Sequence, residues 1–331
     1  MSHRLRFPIA LAVLLTLSVC AVALGICFGA STLSPLSIFG FPGGELNRIL
    51  WDLRLPHVLL SFLIGAALAT SGLIMQGIFQ NPLAGPYIIG VSSGASLGAT
   101  IAIVFGLDFW LFNVISSVPF FAFASGLVVT FLVYVLACRG GRASVLTLLL
   151  TGIALSMLAT AVFSMIMILK QRHLAGVLSW LLGGVRQEGW VPVLTILPYL
   201  VVGLGVATVF ERDLNLLLLG EETAASLGLE VERTKRVLLS IATLLAAAAV
   251  AVSGIIGFVG LVIPHLMRIL LGPDHRRLLW TSALGGGVLL VLSDTVARVV
   301  MAPQELPVGL VTALVGSPFF LYLLYRYGGR L

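Results

Sequence analysis

Asp294 and Arg298 stand four apart in the apolar run "LSDTVARVV" (292–300). That spacing puts both on one face of a helix, where they can neutralise each other as an i,i+4 ion pair. An ionisable group inside a membrane span costs ~2.5–3.5 kcal/mol, so the pair reads either as a functional site or as a self-satisfying one. A second concentration of charge is "ERDLNLLLLGEETAASLGLEVERTK" (211–235), which holds six of the thirteen acidic residues. Within it, Gly220 and Gly228 bracket a stretch that opens on Glu221 and Glu222. Carboxylates there suit the positive end of a helix dipole, and a closing glycine suits a helix stop. Ala224 and Ala225 favour helix, and Leu219 and Leu227 offer apolar surface. Two turns fall below the ~12–15 residues that an isolated helix needs in water, so either the membrane boundary and a partner hold this one or the stretch is a solvated loop.

Other chemistries find no matching pattern in the sequence. The five histidines, His3, His57, His173, His265 and His275, form neither an i,i+4 pair nor H-E-x-x-H, so no metal site is expected. The three cysteines contain no C-x-x-C, and no Ser–His–Asp or paired-carboxylate arrangement suggests catalytic residues. The only lysines, Lys170 and Lys235, do not follow a glycine, so the chain has no P-loop of its own. This chain is expected to bind no cofactor. If nucleotide drives it, ATP and Mg are expected on a partner ATPase.

The elements that carry these residues are membrane helices. Charged residues make up 10% of the 331 positions and hydrophobic ones 59%, against about 25% charged in a soluble domain. Apolar runs predict ten spans, at 7–29, 55–79, 88–106, 113–137, 144–169, 190–210, 237–256, 258–271, 278–301 and 307–325. The chain reads as one all-α polytopic membrane domain, 1–331, with a cytoplasmic segment at 211–236. The first run is about 23 residues, longer than the ~7–15 of a signal-peptide core, and is expected to be retained. With the N-terminus inside, 13 of the 19 Lys and Arg fall on inner segments or inner span ends, which fits the positive-inside rule. Both termini are then cytoplasmic. The net charge of +6 reflects membrane orientation and points to lipid, with no nucleic-acid partner.

The eighth span is short, and "SGIIGFVG" (253–260) precedes and enters it, so a broken or tilted element is expected there in place of two regular helices. A shift of 182 positions lays 54–90 on 236–272, matching Arg54 to Arg236, Ser71-Gly72 to Ser253-Gly254 and Gly90 to Gly272. The two copies would run in opposite directions, the mark of an inverted transporter repeat. Gly90, Gly94 and Gly98 form a tandem G-x-x-x-G suited to close packing.

Four segments resemble the signatures of the FecCD-type permeases, the membrane subunits of type II ABC importers for ferric siderophores, haem and vitamin B12. They are "LRLPHVLLSFLIGAALATSGLIMQGIFQNPLAGPYIIGVSSGAS" (53–96), "LNLLLLGEETAASLGLEVERTK" (214–235), "GIIGFVGLVIPHLMRILLGPDHR" (254–276) and "ELPVGLVTALVGSPFFLYLL" (305–324). The resemblance implies a ten-span subunit that pairs with a second copy of itself in the bacterial inner membrane. It also implies two cytoplasmic ABC ATPase subunits and a substrate-binding protein on the other side. By position, Leu219, Gly220, Glu221, Glu222, Ala224, Ala225, Leu227 and Gly228 become the ATPase-coupling element. Arg54, His57 and Arg298 become the docking residues for the binding protein. The family often has arginine where His57 stands and an acidic residue where Gly85 stands. The fifth span lines the path in such proteins, which nominates Ser156, Thr160 and Ser164; helix packing explains these hydroxyls equally well. A ferric siderophore is the leading cargo, with haem and a cobalamin next. The competing reading is a secondary transporter driven by an ion gradient, which would use Asp294.

Overall fold

The computed structural model describes residues 3–29, 48–111, 115–186 and 188–327. Thirteen α-helices account for most of them. They are α1 (His3–Cys27), α2 (Leu55–Ile78), α3 (Val91–Val104), α4 (Ser117–Ala137), α5 (Val145–Leu169), α6 (Leu174–Leu181) and α7 (Val191–Val209). After them come α8 (Glu211–Leu217), α9 (Glu221–Ser226), α10 (Val231–Ser253), α11 (Val259–Leu271), α12 (His275–Val300) and α13 (Val308–Tyr327). A π-helical turn, Ile49–Arg54, leads into α2. Seven of the apolar helices are long enough to cross a membrane, and three are shorter: Val91–Val104, Val259–Leu271 and Val308–Tyr322. Each of the ten expected spans falls on one of these ten.

The most enclosed span is α2, and α12 runs antiparallel beside it. Glycines let the two backbones touch: a Cβ at Gly65 would run into the carbonyl of Gly286, and one at Gly287 would strike the Phe62 ring. Small residues serve this purpose where lipid offers no hydrophobic drive for helices to associate. The start of α2 and the ends of α1 and α12 meet around Arg54 and Arg298, at what is called here the arginine end. At the other end, Gly77 lies beside Leu214 and His275, and Gln80 donates through Nε2 to the Leu217 carbonyl at 2.7 Å. This is the island end, where α8 and α9 sit.

Two of the spans are half-spans. α2 ends at Ile78, and non-helical residues 79–90 turn back beside its middle, where Gly90, at φ 87°, starts α3. α10 ends at Ser253, and residues 254–258 turn back likewise before α11. The two breaks touch. Tyr87 Oη donates to the Ile256 carbonyl at 2.9 Å, Gln76 Nε2 donates to the Leu261 carbonyl at 3.1 Å, and Gly260 packs on Leu68 and Pro86. Backbone that leaves a helix at membrane depth must be enclosed by protein, and here each break helps to enclose the other. From this meeting point α3 runs toward the start of α4 at the arginine end, while α11 runs to Gly272, just before α12.

The expected break at the eighth span is therefore present, but both of its sides are helices. The segment expected between the second and third spans is also present, but it folds back, and the span expected at 88–106 is the shorter helix Val91–Val104. The opposed half-spans give an inverted arrangement, though the shift of 182 does not follow it throughout. The helices start at Val91 and Val259, 168 positions apart, because the second copy leaves its long helix at Gly254 and returns by a shorter link. α10 also begins earlier than the seventh span was drawn, so 231–236 is helix and not loop.

Candidate coupling and docking sites

At the island end, α8 and α9 form a bent pair. Gly220 makes the bend at φ 100°, which disfavours any residue with a side chain, and Gly228, at φ 90°, ends the second helix. Leu214, Leu217 and Ala224 are buried in the main core and hold the pair down. The opposite face is open: Leu219 is 59% exposed and Leu227 is 60% exposed, with Glu222, Ala225 and Gly228 beside them. Two of the expected coupling residues are thus not on that face. Ala224 is fully buried, and Glu221 turns inward, its carboxylate oxygens 3.0 and 3.1 Å from Lys235 Nζ. Asn215 separately ties α8 to the start of α12, donating to Asp274 Oδ1 and accepting from the His275 backbone N–H, both at 2.8 Å. Asp274 also caps α12, accepting from the Arg276 backbone N–H at 3.1 Å.

At the arginine end, Arg298 donates through Nε to Asp294 Oδ2, through Nη1 to the Phe28 carbonyl and through Nη2 to the Gly25 carbonyl, each at 3.0 Å. Arg54 Nη1 donates to the Ile26 carbonyl at 2.7 Å. His57 Nε2 lies 2.9 Å from Asp294 Oδ2. The last carbonyls of α1 have no partner within their helix, and cations are favoured at that terminus. Two arginines meet that need, and one carboxylate answers Arg298 and His57. His57 and Arg298 are each only 4% exposed, so of the three expected docking residues only Arg54 reaches the surface in part. Sequence alone could not show that α1 would end beside α12, and so could not show that Arg298 is spoken for. A cavity of about 180 Å³ opens onto the cluster, where Asp294 and Arg298 line it together with Trp180, Arg186, Glu188 and Glu305.

α5 is the least enclosed of the long spans. Ser156 and Thr160 line a groove on it of about 550 Å³, together with Ile88 from the first break. Ser156 Oγ would lie 3.2 Å from a Cβ on Gly90, so this face runs past the point where α3 begins. Ser164 lies two turns beyond Ser156, half-buried, and does not line that groove.

The FecCD transport family matches residues 13–326. This chain is a FecCD-family permease. The permease is 46% identical over 286 residues to the cobalamin import system permease protein BtuC of Halobacterium salinarum, across 86% of this chain and 75% of that one. It is 41% identical over 304 residues to the hemin transport system permease protein HmuU of Yersinia pestis, across 90% of both. A solved inward-facing conformation of a metal-chelate type ABC transporter superposes with a TM-score of 0.85 at 33% identity, covering 97% of the permease and 99% of that chain. Fold and family agree over nearly the whole length.

The residue that sequence reasoning missed in the permease is Lys235. It entered only as one of two lysines outside any P-loop, yet it is the largest fully buried side chain among the described residues. Its one sequence signal is Glu232, three positions before it.

Proposed function

We propose that the permease is the membrane subunit of an ATP-driven importer that takes a large metal chelate from a binding protein. Two copies pair, with the path between them, and each α8–α9 pair receives one ATPase subunit on the cytoplasmic face. The observation that carries this reading is the open face of Leu219, Glu222 and Leu227, held rigidly at one end of a FecCD-family chain. Large apolar side chains on a short helix bounded by glycine turns fit a protein partner better than water. The arginine end then faces outward, with both termini inside. Nucleotide-driven closure of the two ATPases would move α9 and α8 and change which side the permease halves open to.

The relatives carry cobalamin and hemin in their names, so a metal chelate is the cargo class, with a ferric siderophore the first to test. The ion-gradient reading loses its support, because Asp294 is already matched by Arg298 and His57. The reading is tested by gentle purification from native membrane. An ATPase should come down in stoichiometric amount and be lost when Glu222→Lys and Leu227→Asp are combined. A permease that purifies alone and still transports on an ion gradient would refute it.

A further inference from the structure

Lys235 joins three elements through one ammonium group. It lies 2.8 Å from Glu232 Oε1 on its own helix, 3.0 and 3.1 Å from the two carboxylate oxygens of Glu221 on α9, and it donates to the Ala143 carbonyl at 2.8 Å. An ammonium has three donors, and all three are used. The second oxygen of Glu232 accepts from the Ala143 backbone N–H at 3.3 Å, so Ala143 is gripped by both of its polar backbone groups. Ala143 closes the small hairpin Cys138–Arg139 with Arg142–Ala143. The next residue, Ser144, caps α5 by accepting the Thr147 backbone N–H at 3.1 Å.

The ammonium is buried while its carboxylates reach the surface in part. The Lys235 side chain is 1% exposed, against 35% for Glu221 and 24% for Glu232, whereas the neighbouring Arg233–Glu230 pair is 72% exposed on both sides at 3.4 Å. A surface pair of the latter kind orders little, because water competes for both charges. A buried ammonium has no such alternative, and it holds its partners in one geometry for as long as they remain its only counter-charges. Among the described residues, Glu221–Lys235 is the only ion pair that leaves α9. α8 is anchored elsewhere, to α12 through Asn215. The polar ties of the two helices therefore differ: α8 is held to α12 through Asn215 and to the end of α2 through Gln80, whereas α9 leads through Lys235 to the head of α5.

We propose that Lys235 is the positioning residue that passes the displacement of α9 to α5, the span that carries Ser156 and Thr160. The proposal rests on the coupling reading above. It assigns the two halves of the island different duties: the exposed face of α9 receives the ATPase, and its inward carboxylate hands the movement on.

The test uses the permease assembled with its ATPase in liposomes, with Cys20, Cys27 and Cys138 replaced by serine. Spin labels at Ser226→Cys report α9, and labels at Leu150→Cys report the head of α5, as distances between the two copies. Mg-ATP should shift both distances when Lys235 is intact. In Lys235→Met the Ser226 shift should persist and the Leu150 shift should vanish. Glu221→Gln leaves Lys235 its other partners and guards against a variant that fails to fold; it should give the same split. Lys235→Arg should restore the Leu150 shift. Equal Leu150 shifts with and without the lysine would overturn the proposal and leave the coupling reading standing. Loss of both shifts together, with a lower thermal midpoint in both variants, would mark a merely structural lysine and overturn it too. No Ser226 shift in the chain with Lys235 intact would sink the coupling reading itself.

Discussion

Arg298 Nη1 donates to the Phe28 carbonyl at 3.0 Å, so the last turn of α12 closes the end of α1, 270 positions away in the chain. The same guanidinium reaches Gly25 and Asp294. The i,i+4 pair that the spacing of Asp294 and Arg298 suggested is present, and the same arginine also joins α12 to α1.

Arg298→Ala should destabilise the permease strongly. It leaves Asp294 buried without its arginine and removes the donors to the carbonyls of Gly25 and Phe28, a loss of about 3–5 kcal/mol for a broken buried pair. The thermal midpoint in detergent checks it. Arg54→Ala should lower that midpoint less, since Arg54 is half-exposed.

The close contact of α2 and α12 predicts a sharp contrast between glycines. Gly286→Val places side-chain atoms against the Gly65 carbonyl and should abolish monodisperse protein. Gly205→Ala, in α7 with open space around its Cβ position, should be neutral or stabilise by up to about 1 kcal/mol. Size-exclusion profiles of the two variants decide it.

Tyr87→Phe removes the hydroxyl that joins the two broken spans and leaves the Ile256 carbonyl without that donor. An unsatisfied buried acceptor costs about 1–3 kcal/mol. The variant should fold with a lowered midpoint, and transport should fall more than the amount of protein in the membrane does. Transport per molecule equal to that of the unchanged chain would show that the contact between the breaks has no part in the cycle.

Leu227→Asp should leave stability unchanged and weaken ATPase capture. The side chain is 60% exposed and surrenders little packing, whereas Ala224→Asp, at a fully buried position, should destabilise. Thermal midpoints and pull-down yields of the two variants separate the face that docks from the face that anchors.

The helices were legible because hydropathy records burial in lipid directly, and the island stood out for the same reason. The glycines at 220 and 228 foretold their turns, since few other residues adopt those backbone angles. What sequence could not supply was partnership across long separations. Glu221 looked like an outward acid because its lysine is fourteen positions on, and that lysine is held in place by the hairpin before α5. The pairing of Arg298 with Asp294 was legible from their spacing, but its hold on the carbonyls of Gly25 and Phe28 was not, because α1 is nearly the whole chain away. The turn after α2 was legible in Asn81-Pro82 and Gly85-Pro86; what sequence could not show is that this turn folds back to meet the break at 254–258, so that α3 begins only at Val91.

In the proposed cycle, ATP bound by a partner drives a metal chelate through this permease. Its most direct test is uptake into proteoliposomes that contain the permease and its ATPase, with no ion gradient. The binding protein is supplied outside with a ferric siderophore, haem or a cobalamin. Uptake of one of these is expected only when Mg-ATP is present on the ATPase side. Uptake that proceeds without ATP and follows an imposed ion gradient would contradict it.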